Sequence, residues 1–339
     1  MTTATIAPSF AHPTNTLSSL PIVVLHVHSR CNCRCTMCDI WQTKETRELS
    51  PAQLRSFLPD FRRLGVQWVV LTGGEPLLHR DLKSICEPLR ELGIKLTVLT
   101  TGLLLSKYAE SASSLFDEII VSIDGPPAVH DEIRRVERGF QRLAMGLQAV
   151  RGHAPHLPMR ARTTVQKANH TCLRETVEAA KALPLNSISF LAADLTSEAF
   201  NRKLIWPLPR QNEIGLCASE VAALKAEIEQ LISDYSLDIE SGFISERPHK
   251  LRRIVQHFRA HLGMTTATAP LCNAPWTSAV IDLDGAVRPC FFHRAVGDIS
   301  TGLEEAINSS IAVEFRNTLD IEANPICQRC VCSLNYRVS

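Results

Sequence analysis

The stretch that decides the fold is Cys31-Asn-Cys-Arg-Cys35-Thr-Met-Cys38-Asp-Ile-Trp41, which places four cysteines within eight residues. Three of them follow the spacing Cys31-x3-Cys35-x2-Cys38. Thiolates this close together suit an iron–sulfur cluster that keeps one iron without a protein ligand. A structural zinc site needs four ligands, usually from paired C-x2-C knuckles, which the triplet does not supply. We therefore predict an iron–sulfur site and interpret Cys33, which lies between the ligands, as a bystander.

A short apolar run leads into the cysteines and predicts a buried strand, after which predicted helices and strands alternate. Strands separated by helices imply a parallel sheet with right-handed crossovers. Six strands favour an α/β fold with a partial (β/α)6 barrel over the closed eight-strand form, and a doubly wound flat sheet is the alternative. The predicted strands are 21–28, 66–71, 94–100, 118–123, 160–166 and 187–191, and the predicted helices are 51–64, 80–92, 103–114, 139–151 and 172–183.

Composition excludes several classes of protein. The 339 residues carry 36 basic and 35 acidic side chains, so net charge gives no general attraction to nucleic acid or to an anionic membrane. No apolar run approaches the ~20 residues that span a bilayer, and the first residues lack the pattern of a signal peptide. We expect a cytoplasmic protein in which the twelve cysteines are ligands or buried thiols rather than disulfides.

A second motif, Leu71-Thr-Gly73-Gly74-Glu75-Pro76, comes directly after the second predicted strand. Two glycines let the backbone approach a ligand closely, and a carboxylate accepts hydrogen bonds from an ammonium group. Together with the cysteine triplet, this motif resembles the radical S-adenosylmethionine (SAM) superfamily. Met37 departs from the family pattern, in which the position before the last cysteine is usually aromatic.

The resemblance implies a [4Fe–4S] cluster at Cys31, Cys35 and Cys38, with SAM bound at the open iron. Residues Gly73 to Pro76 would bind the methionine part of SAM, with Glu75 taking its amino group. The cluster would cleave a carbon–sulfur bond of SAM to give methionine and a 5′-deoxyadenosyl radical that abstracts hydrogen. A flavodoxin- or ferredoxin-type protein would donate the electron.

The fourth predicted strand ends in Ser122-Ile-Asp124-Gly125, and His130-Asp-Glu-Ile-Arg134 follows. Similar residues contribute to SAM binding in radical SAM proteins that modify peptides or proteins. By this resemblance Ser122 contacts the ribose or methionine portion and Arg134 the carboxylate, while a surface arginine is the alternative for Arg134. Asp124 belongs to this arrangement by the same resemblance. Parallel barrels gather ligands at the C-terminal ends of their strands. Weaker candidates at those ends are Thr101, Gly102, Arg162, Thr164 and Leu191.

The last part of the chain carries a second group of cysteines. Cys272 and Cys290 flank a predicted strand, Asp-Gly turn and strand, and Cys327-Gln-Arg-Cys330-Val-Cys332 follows. This arrangement resembles the twitch or SPASM domains that hold auxiliary clusters in radical SAM enzymes. It implies one auxiliary [4Fe–4S] cluster ligated by Cys272, Cys290, Cys327 and Cys330, with Cys332 idle or replacing one of them. A zinc ribbon is the alternative, and we interpret His293 as a packing or hydrogen-bonding residue.

These patterns divide the chain into a flexible tail at 1–21, the partial barrel at 22–193, a helical bridge at 194–265 and a small C-terminal α+β cluster-binding domain at 266–339. No peptide-binding domain precedes the barrel, so we expect a small natural-product-like substrate, with a ribosomally made peptide as the alternative. A GTP cyclase of molybdenum-cofactor assembly is similar but ends in Gly-Gly rather than Val338-Ser339. A non-catalytic electron carrier and a zinc-binding interaction protein are the remaining readings. The catalytic acid or base is not indicated.

Overall fold

The computed structural model describes residues 15–202 and 204–337. Most of the tail predicted at 1–21 lies outside these residues. Its last part is anchored, because the Leu17 amide donates to Asn308 Oδ1 at 2.7 Å and the Asn308 side chain returns a bond to the Leu17 carbonyl. Leu17 and Leu20 are both buried. The prediction of a flexible tail is therefore wrong for residues 15–21, since two apolar side chains that looked isolated in the sequence pack against the core.

Nine strands form a single sheet in the described part of the chain. They are β1 (Ile22–His28), β2 (Trp68–Gly73), β3 (Lys95–Thr100), β4 (Glu118–Ser122), β5 (Met159–Val165), β6 (Ser187–Ala192), β7 (Ser278–Ile281), β8 (Ala286–Arg288) and β9 (Gly297–Asp298). Their order across the sheet is β6-β5-β4-β3-β2-β1-β7-β8-β9. The first six strands are all parallel to their neighbours.

This order confirms the predicted partial barrel. A doubly wound sheet reverses direction at its first strand, with strands of the same unit on either side of it. Here β1 to β6 follow one another without reversal, so the flat-sheet alternative is wrong. Alternate residues of β1 show the two faces, because Leu25 and Val27 are fully buried whereas His26 between them is half-buried. The buried face meets the helices and the other face lines the lumen.

The described residues also contain fifteen α-helices. These are α1 (Pro51–Arg63), α2 (Leu82–Glu91), α3 (Leu105–Tyr108), α4 (Ala112–Leu115), α5 (Pro127–Arg134), α6 (Gly139–His153), α7 (Leu173–Lys181), α8 (Leu208–Ile214), α9 (Ala218–Asp234), α10 (Ser236–Ser241), α11 (Pro248–His261), α12 (Ala274–Thr277), α13 (Leu303–Ile307), α14 (Ser310–Thr318) and α15 (Pro325–Gln328).

The single helix predicted at 103–114 is instead two short helices, α3 and α4. Serine hydroxyls bond local carbonyl groups at the break, where Ser111 Oγ donates to the Tyr108 carbonyl and Ser114 Oγ to the Ser111 carbonyl. Such bonds compete with the helical ladder. The apolar spacing that suggested one helix survives in the burial of Leu105, Ala112 and Leu115.

The C-terminal strands continue the sheet of the barrel. β7 pairs in parallel with β1, with Ile22 opposite Ser278 and Leu25 opposite Ile281. β7 and β8 form the predicted hairpin, and Gly285 in its turn has a φ of +94° that favours glycine. The sequence did not indicate the pairing of β7 with β1, which joins the segment that carries the second cysteine group to the sheet of the barrel.

The helical segment after the barrel covers the free edge of β6. The Ile188 amide donates to the Phe243 carbonyl at 2.7 Å, and the Ser245 amide donates to the Ile188 carbonyl at 2.9 Å. Glu246 adds a side-chain contact, since its Oε2 accepts a bond from the Phe190 amide at 2.9 Å. Covering an edge strand in this way removes a site for unwanted pairing.

The burial of Glu246 leads us to expect that the stability of the protein depends on pH. Burial raises the pKa of Glu246 to about 7, against about 4.3 in an unfolded chain. Between those values the folded state keeps a proton that the unfolded state has lost, so the free energy of unfolding falls as pH rises and levels off above pH 7. The full slope would be about 1.4 kcal/mol per pH unit, and partial exposure should reduce it. Urea unfolding from pH 5 to 8 should show this fall, and Glu246→Gln should flatten it. Equal slopes in both proteins would contradict the assignment.

Candidate functional site

The cysteine loop, residues 29–41, lies at the C-terminal ends of the parallel strands. Its start is tied to the end of β2, where the Glu75 amide donates to the Arg30 carbonyl at 2.8 Å. Its middle is tied to the end of α5, where the Arg34 amide donates to the Arg134 carbonyl at 3.1 Å and the Thr36 amide to the Ile133 carbonyl at 3.0 Å. Backbone bonds on two sides therefore hold the loop over the mouth of the barrel.

The glycines of the second motif permit this close approach. Gly73 has a φ of +128°, and a Cβ there would overlap the His28 carbonyl oxygen. A Cβ on Gly74 would overlap the Arg30 carbonyl and lie 2.9 Å from the Cys31 amide nitrogen. The pair thus lets β2 and the cysteine loop meet backbone to backbone, and Pro76 then begins a buried 3-10 turn, Pro76–Leu78.

The structure brings the thiols of the triplet together around Cys33. Hydrogen bonds to Cys31 and Cys35 raise the pKa of the buried Cys33 thiol. The bond from Cys33 lowers the pKa of Cys35 to about 6, and the charge of Arg134 adds to that effect. Burial raises the pKa of Cys38 to about 12, while its Sγ accepts a bond from the Ile40 amide at 3.4 Å. Cys35 thus ionises more readily than Cys33 or Cys38. The bystander role of Cys33 stays a prediction.

The Glu75 carboxylate is fully buried at the end of β2. Its Oε1 accepts from the Leu77 amide at 3.0 Å and from Thr100 Oγ1 at 2.7 Å, and its Oε2 accepts from the Thr101 amide at 2.6 Å. Burial nevertheless raises the pKa of Glu75. A carboxylate offers about four lone-pair sites, so one acceptor position remains for an ammonium group. The predicted contact with SAM therefore stays a prediction that the hydrogen bonding permits.

Asp124 and Arg134 form a buried ion pair beside the cysteine loop. Arg134 Nε and Nη2 lie 2.6 and 2.5 Å from Asp124 Oδ2, and Arg134 Nη1 lies 3.4 Å from Cys35 Sγ. Asp124 Oδ1 accepts from the Thr164 amide at 2.8 Å, and Asn169 Nδ2 donates to the Asp124 carbonyl. The surface-arginine alternative for Arg134 is wrong, because the side chain is buried. The predicted contact of Arg134 with the SAM carboxylate would therefore have to use a guanidinium group that already makes two contacts with Asp124 and one with Cys35.

The remaining candidates fall at the same edge of the sheet. Ser122, at the end of β4, is half-buried and stands opposite Arg162 in register. Arg162 is exposed, and its Nε lies 3.5 Å from Ser189 Oγ. Thr101 Oγ1 donates to Asn32 Oδ1 at 2.9 Å, and Leu191 is half-buried on β6. All of these residues flank the mouth of the barrel, and their roles stay predictions.

The residues around the loop fit the cluster and SAM that the resemblance implies. Thiolates are the donors that iron–sulfur clusters take. Two buried amide nitrogens beside the loop, Asn32 Nδ2 and Gln166 Nε2, have no partner in the described structure. Buried donors without a partner are costly, so a ligand that accepts hydrogen bonds would satisfy them. Gln166 is held by Thr36, whose Oγ1 donates to Gln166 Oε1 at 2.9 Å.

Sequence reasoning missed a polar group inside the lumen. His26 Nδ1 lies 3.1 Å from Asp282 Oδ1, and Asp282 Oδ2 lies 2.6 Å from Arg288 Nε. His26 Nε2 is buried and has no partner among the described residues. Phe291 packs on the His26 ring and also contacts Phe200, with ring centroids 5.0 Å apart, so the two ends of the open sheet meet here. No local signal pairs β1 with a segment 250 residues later, which is why the group was missed.

The second cysteine group converges on Cys272. Burial raises the pKa of Cys290 to about 11, and the Cys272 thiol adds to that shift. Burial likewise raises the pKa of Cys327 to about 12 and that of Cys330, again with a contribution from Cys272. The exposed Cys332 lies within electrostatic range of Cys272 and Cys330. All five predicted ligands therefore share one region, and which four would hold a cluster stays a prediction.

His293 lies beside this group. Its ring packs edge-on against Phe315 with centroids 4.9 Å apart, and its Nε2 is 3.4 Å from Cys327 Sγ. Within the residues described, no three His, Cys, Asp or Glu side chains are close enough to hold a single metal ion.

The helices of the described residues include none with the length and apolarity that crossing a membrane requires.

Comparison with known families finds two matches. A model of the radical SAM superfamily matches residues 25–179, and a model of the SPASM iron–sulfur cluster-binding domain matches residues 272–331. The first match covers most of β1 and all of β2 to β5, and it ends before β6. The second covers four of the five late cysteines and ends one residue before Cys332. Both predicted resemblances are confirmed, and the second shows that the C-terminal cysteines belong to an iron–sulfur domain.

Two curated relatives illustrate the range of the similarity. The pre-heme d1 synthase of Dinoroseobacter shibae is 31% identical over 162 residues, which are 47% of this chain and 40% of that protein. The PqqA peptide cyclase of Rhizobium meliloti is 26% identical over 259 residues, which are 72% of this chain and 66% of that protein. The match spans less than half the length of the pre-heme d1 synthase and about two thirds of the cyclase.

Solved structures share the fold. SuiB of Streptococcus suis, bound to its precursor peptide SuiA, superposes with a TM-score of 0.61 at 16% identity, covering 95% of this chain and 73% of that one. anSMEcpe with bound AdoMet and a peptide gives a TM-score of 0.63 at 17% identity, covering 91% and 86%. A radical SAM domain implies a [4Fe–4S] cluster and SAM, and a SPASM domain suggests auxiliary iron–sulfur clusters. With both models matched on the residues that build the site, this chain carries a radical SAM domain at residues 25–179 and a C-terminal SPASM domain at residues 272–331.

Proposed function

We propose that this protein is an enzyme that cleaves SAM reductively at a cluster held by Cys31, Cys35 and Cys38 and uses the resulting radical to abstract hydrogen from a substrate in the barrel. The observation that carries this proposal is the backbone contact between Gly74 and the cysteine loop, because it joins the two family motifs at one place over the lumen. When bound, the reduced cluster and SAM supply a 5′-deoxyadenosyl radical.

The chain's own residues would then bind and orient SAM. Glu75 keeps one acceptor position for the methionine ammonium group, in a site from which water is excluded. Ser122 lies at the end of β4 within reach of a bound ligand's polar groups. Asn32 and Gln166 each offer an unpartnered N–H donor. Gly73 to Pro76, Thr101 and Asp124 shape the same pocket.

The proposed substrate is a small natural-product-like molecule with an anionic or hydrogen-bonding group. Arg162, on β5, is exposed and makes no ion pair among the described residues. Deeper in the lumen, His26 Nε2 is an unpartnered nitrogen beside the aromatic ring of Phe291. A positively charged side chain and an aromatic ring on the substrate path would suit an anionic molecule with a flat or apolar body. The reaction would be an oxidation, an epimerisation or a bond formation.

Modification of a ribosomally made peptide is the second candidate. PqqA peptide cyclase aligns with 72% of this chain, and the solved structures of SuiB and anSMEcpe contain bound peptides. The exposed Arg162 would be accessible to a peptide segment. A GTP cyclase activity is a further alternative, because a GTP 3′,8-cyclase of Limosilactobacillus fermentum is 35% identical over 124 residues.

The proposed setting is the reducing cytoplasm, in which all twelve cysteines would remain free of disulfides, as they are in the structure. A flavodoxin- or ferredoxin-type protein is the proposed electron donor. A role as a non-catalytic electron carrier would leave the SAM pocket without use.

Anaerobic reconstitution tests the function. Protein incubated with iron and sulfide, then with SAM and dithionite, should form 5′-deoxyadenosine even without substrate, and the correct substrate should raise the rate at least ten-fold. Small carboxylated metabolites, GTP and candidate precursor peptides would be supplied in separate reactions. Absence of 5′-deoxyadenosine from protein that carries its full iron would favour the electron carrier. Stimulation by a peptide alone would favour the second candidate.

A further inference from the structure

Arg134 is the positively charged side chain that contacts the cysteine triplet. Its Nη1 lies 3.4 Å from Cys35 Sγ, a normal length for an N–H donor bonding to sulfur. The other hydrogen bonds to the three thiols in the described residues come from uncharged groups, which are the Cys33 thiol and the Ile40 amide. Arg134 is therefore the single charged donor in contact with the triplet.

Arg134 is held in this position from the opposite side. Two of its nitrogens bond Asp124, which is fully buried and is itself bonded by the Thr164 amide. The carbonyl of Arg134 accepts a bond from the Arg34 amide in the cysteine loop. Two nitrogens held on the same oxygen, Asp124 Oδ2, restrain the guanidinium plane, and the third nitrogen, Nη1, lies against the Cys35 sulfur. The side chain has no freedom to leave Cys35 without breaking the pair.

We infer that Arg134 is a positioning residue that donates a hydrogen bond to the Cys35 ligand and thereby sets the reduction potential of the SAM-binding cluster. Hydrogen bonds and positive charge at the ligand sulfurs favour the reduced form of a cluster, because reduction adds negative charge. The inference rests on the proposed function only in placing a cluster at Cys31, Cys35 and Cys38. It differs from the role that the family resemblance implies, in which Arg134 contacts the carboxylate of SAM.

The test compares the midpoint potentials of reconstituted full-length proteins by EPR-monitored redox titration. The signal that changes when SAM is added identifies the cluster of interest and separates it from auxiliary clusters. Arg134→Gln should make its potential more negative in the absence of SAM, because the charged donor is lost. Arg134→Lys keeps the positive charge but loses the planar set of N–H donors that contacts Asp124 and Cys35 together. The cluster potential of this variant should therefore lie between those of Arg134→Gln and the wild type. Arg135→Gln, an exposed neighbour, should leave the potential unchanged.

Iron content and SAM titrations accompany each variant. Should Arg134→Gln fail to hold its iron, Arg134→Lys decides the outcome, with a negative shift supporting the inference. An unchanged potential with weakened SAM binding would overturn it and assign Arg134 to the SAM carboxylate. A wild-type protein that forms no SAM-responsive cluster would overturn the proposed function as well, so the two failures are distinguishable.

Discussion

Replacement of Cys31, Cys35 and Cys38 by alanine should abolish SAM cleavage, with at least a thousand-fold loss of 5′-deoxyadenosine formation. The three thiols lie together in the loop held over the barrel, and Cys35 has its pKa lowered to about 6 by the Cys33 hydrogen bond. Without these donors Cys33 is the thiol that remains in the loop, and one thiol does not supply the ligands that a cluster needs. Iron should fall from about eight to about four atoms per chain, if each cluster holds four irons.

The matched control is Cys33→Ala. Cys33 is buried in the same loop and contacts Cys31 and Cys35, yet it is predicted not to bind iron. The variant should keep its iron and retain SAM cleavage within a few-fold of the wild type. Full cleavage by the triple variant would disprove the central assignment, and loss of four irons from Cys33→Ala would make Cys33 a ligand.

The parts of the structure that were predictable are those whose signal is local. β4 was predicted at 118–123 and is Glu118–Ser122, because a run of β-branched residues between two helices marks a buried parallel strand. The cysteine triplet and the motif at Gly73–Pro76 were recognised for the same reason. Each is a short segment whose spacing alone reflects what its residues can bind, and the structure places both at one edge of the sheet.

The parts that escaped prediction depend on contacts between distant segments. The pairing of β7 with β1 joins Ile22 to Ser278, and nothing in either strand specifies the other. The Arg134 bond to Cys35 and the His26 bond to Asp282 are of the same kind, since each requires the fold to bring two elements together. The anchored segment at Leu17 was missed because a few apolar residues in a polar stretch carry no periodicity.

Gly74→Ala should disrupt the site more than any other substitution that adds a single methyl group. The added Cβ would overlap the carbonyl group of Arg30 and approach the Cys31 amide, and all of these atoms belong to the backbone. A backbone cannot rotate away as a side chain does, so the cysteine loop must move off β2. This movement would break the hydrogen bonds that the Gly74 and Glu75 amides donate to the carbonyl groups of His28 and Arg30. We expect more than a ten-fold loss of SAM cleavage, lowered iron content, and destabilisation of about 2 kcal/mol or more.

Gly152→Ala provides the comparison. Gly152 lies in α6 with a helical backbone and with no atom within 4 Å of an added Cβ. Alanine there should leave SAM cleavage unchanged and stabilise the protein by up to about 1 kcal/mol, because alanine is the better helix former. Urea unfolding, iron analysis and 5′-deoxyadenosine formation would be measured on both variants. If Gly74→Ala matched Gly152→Ala in all three, the loop would not depend on backbone contact with β2. The two motifs would then act separately, which the close packing of Gly74 against Arg30 argues against.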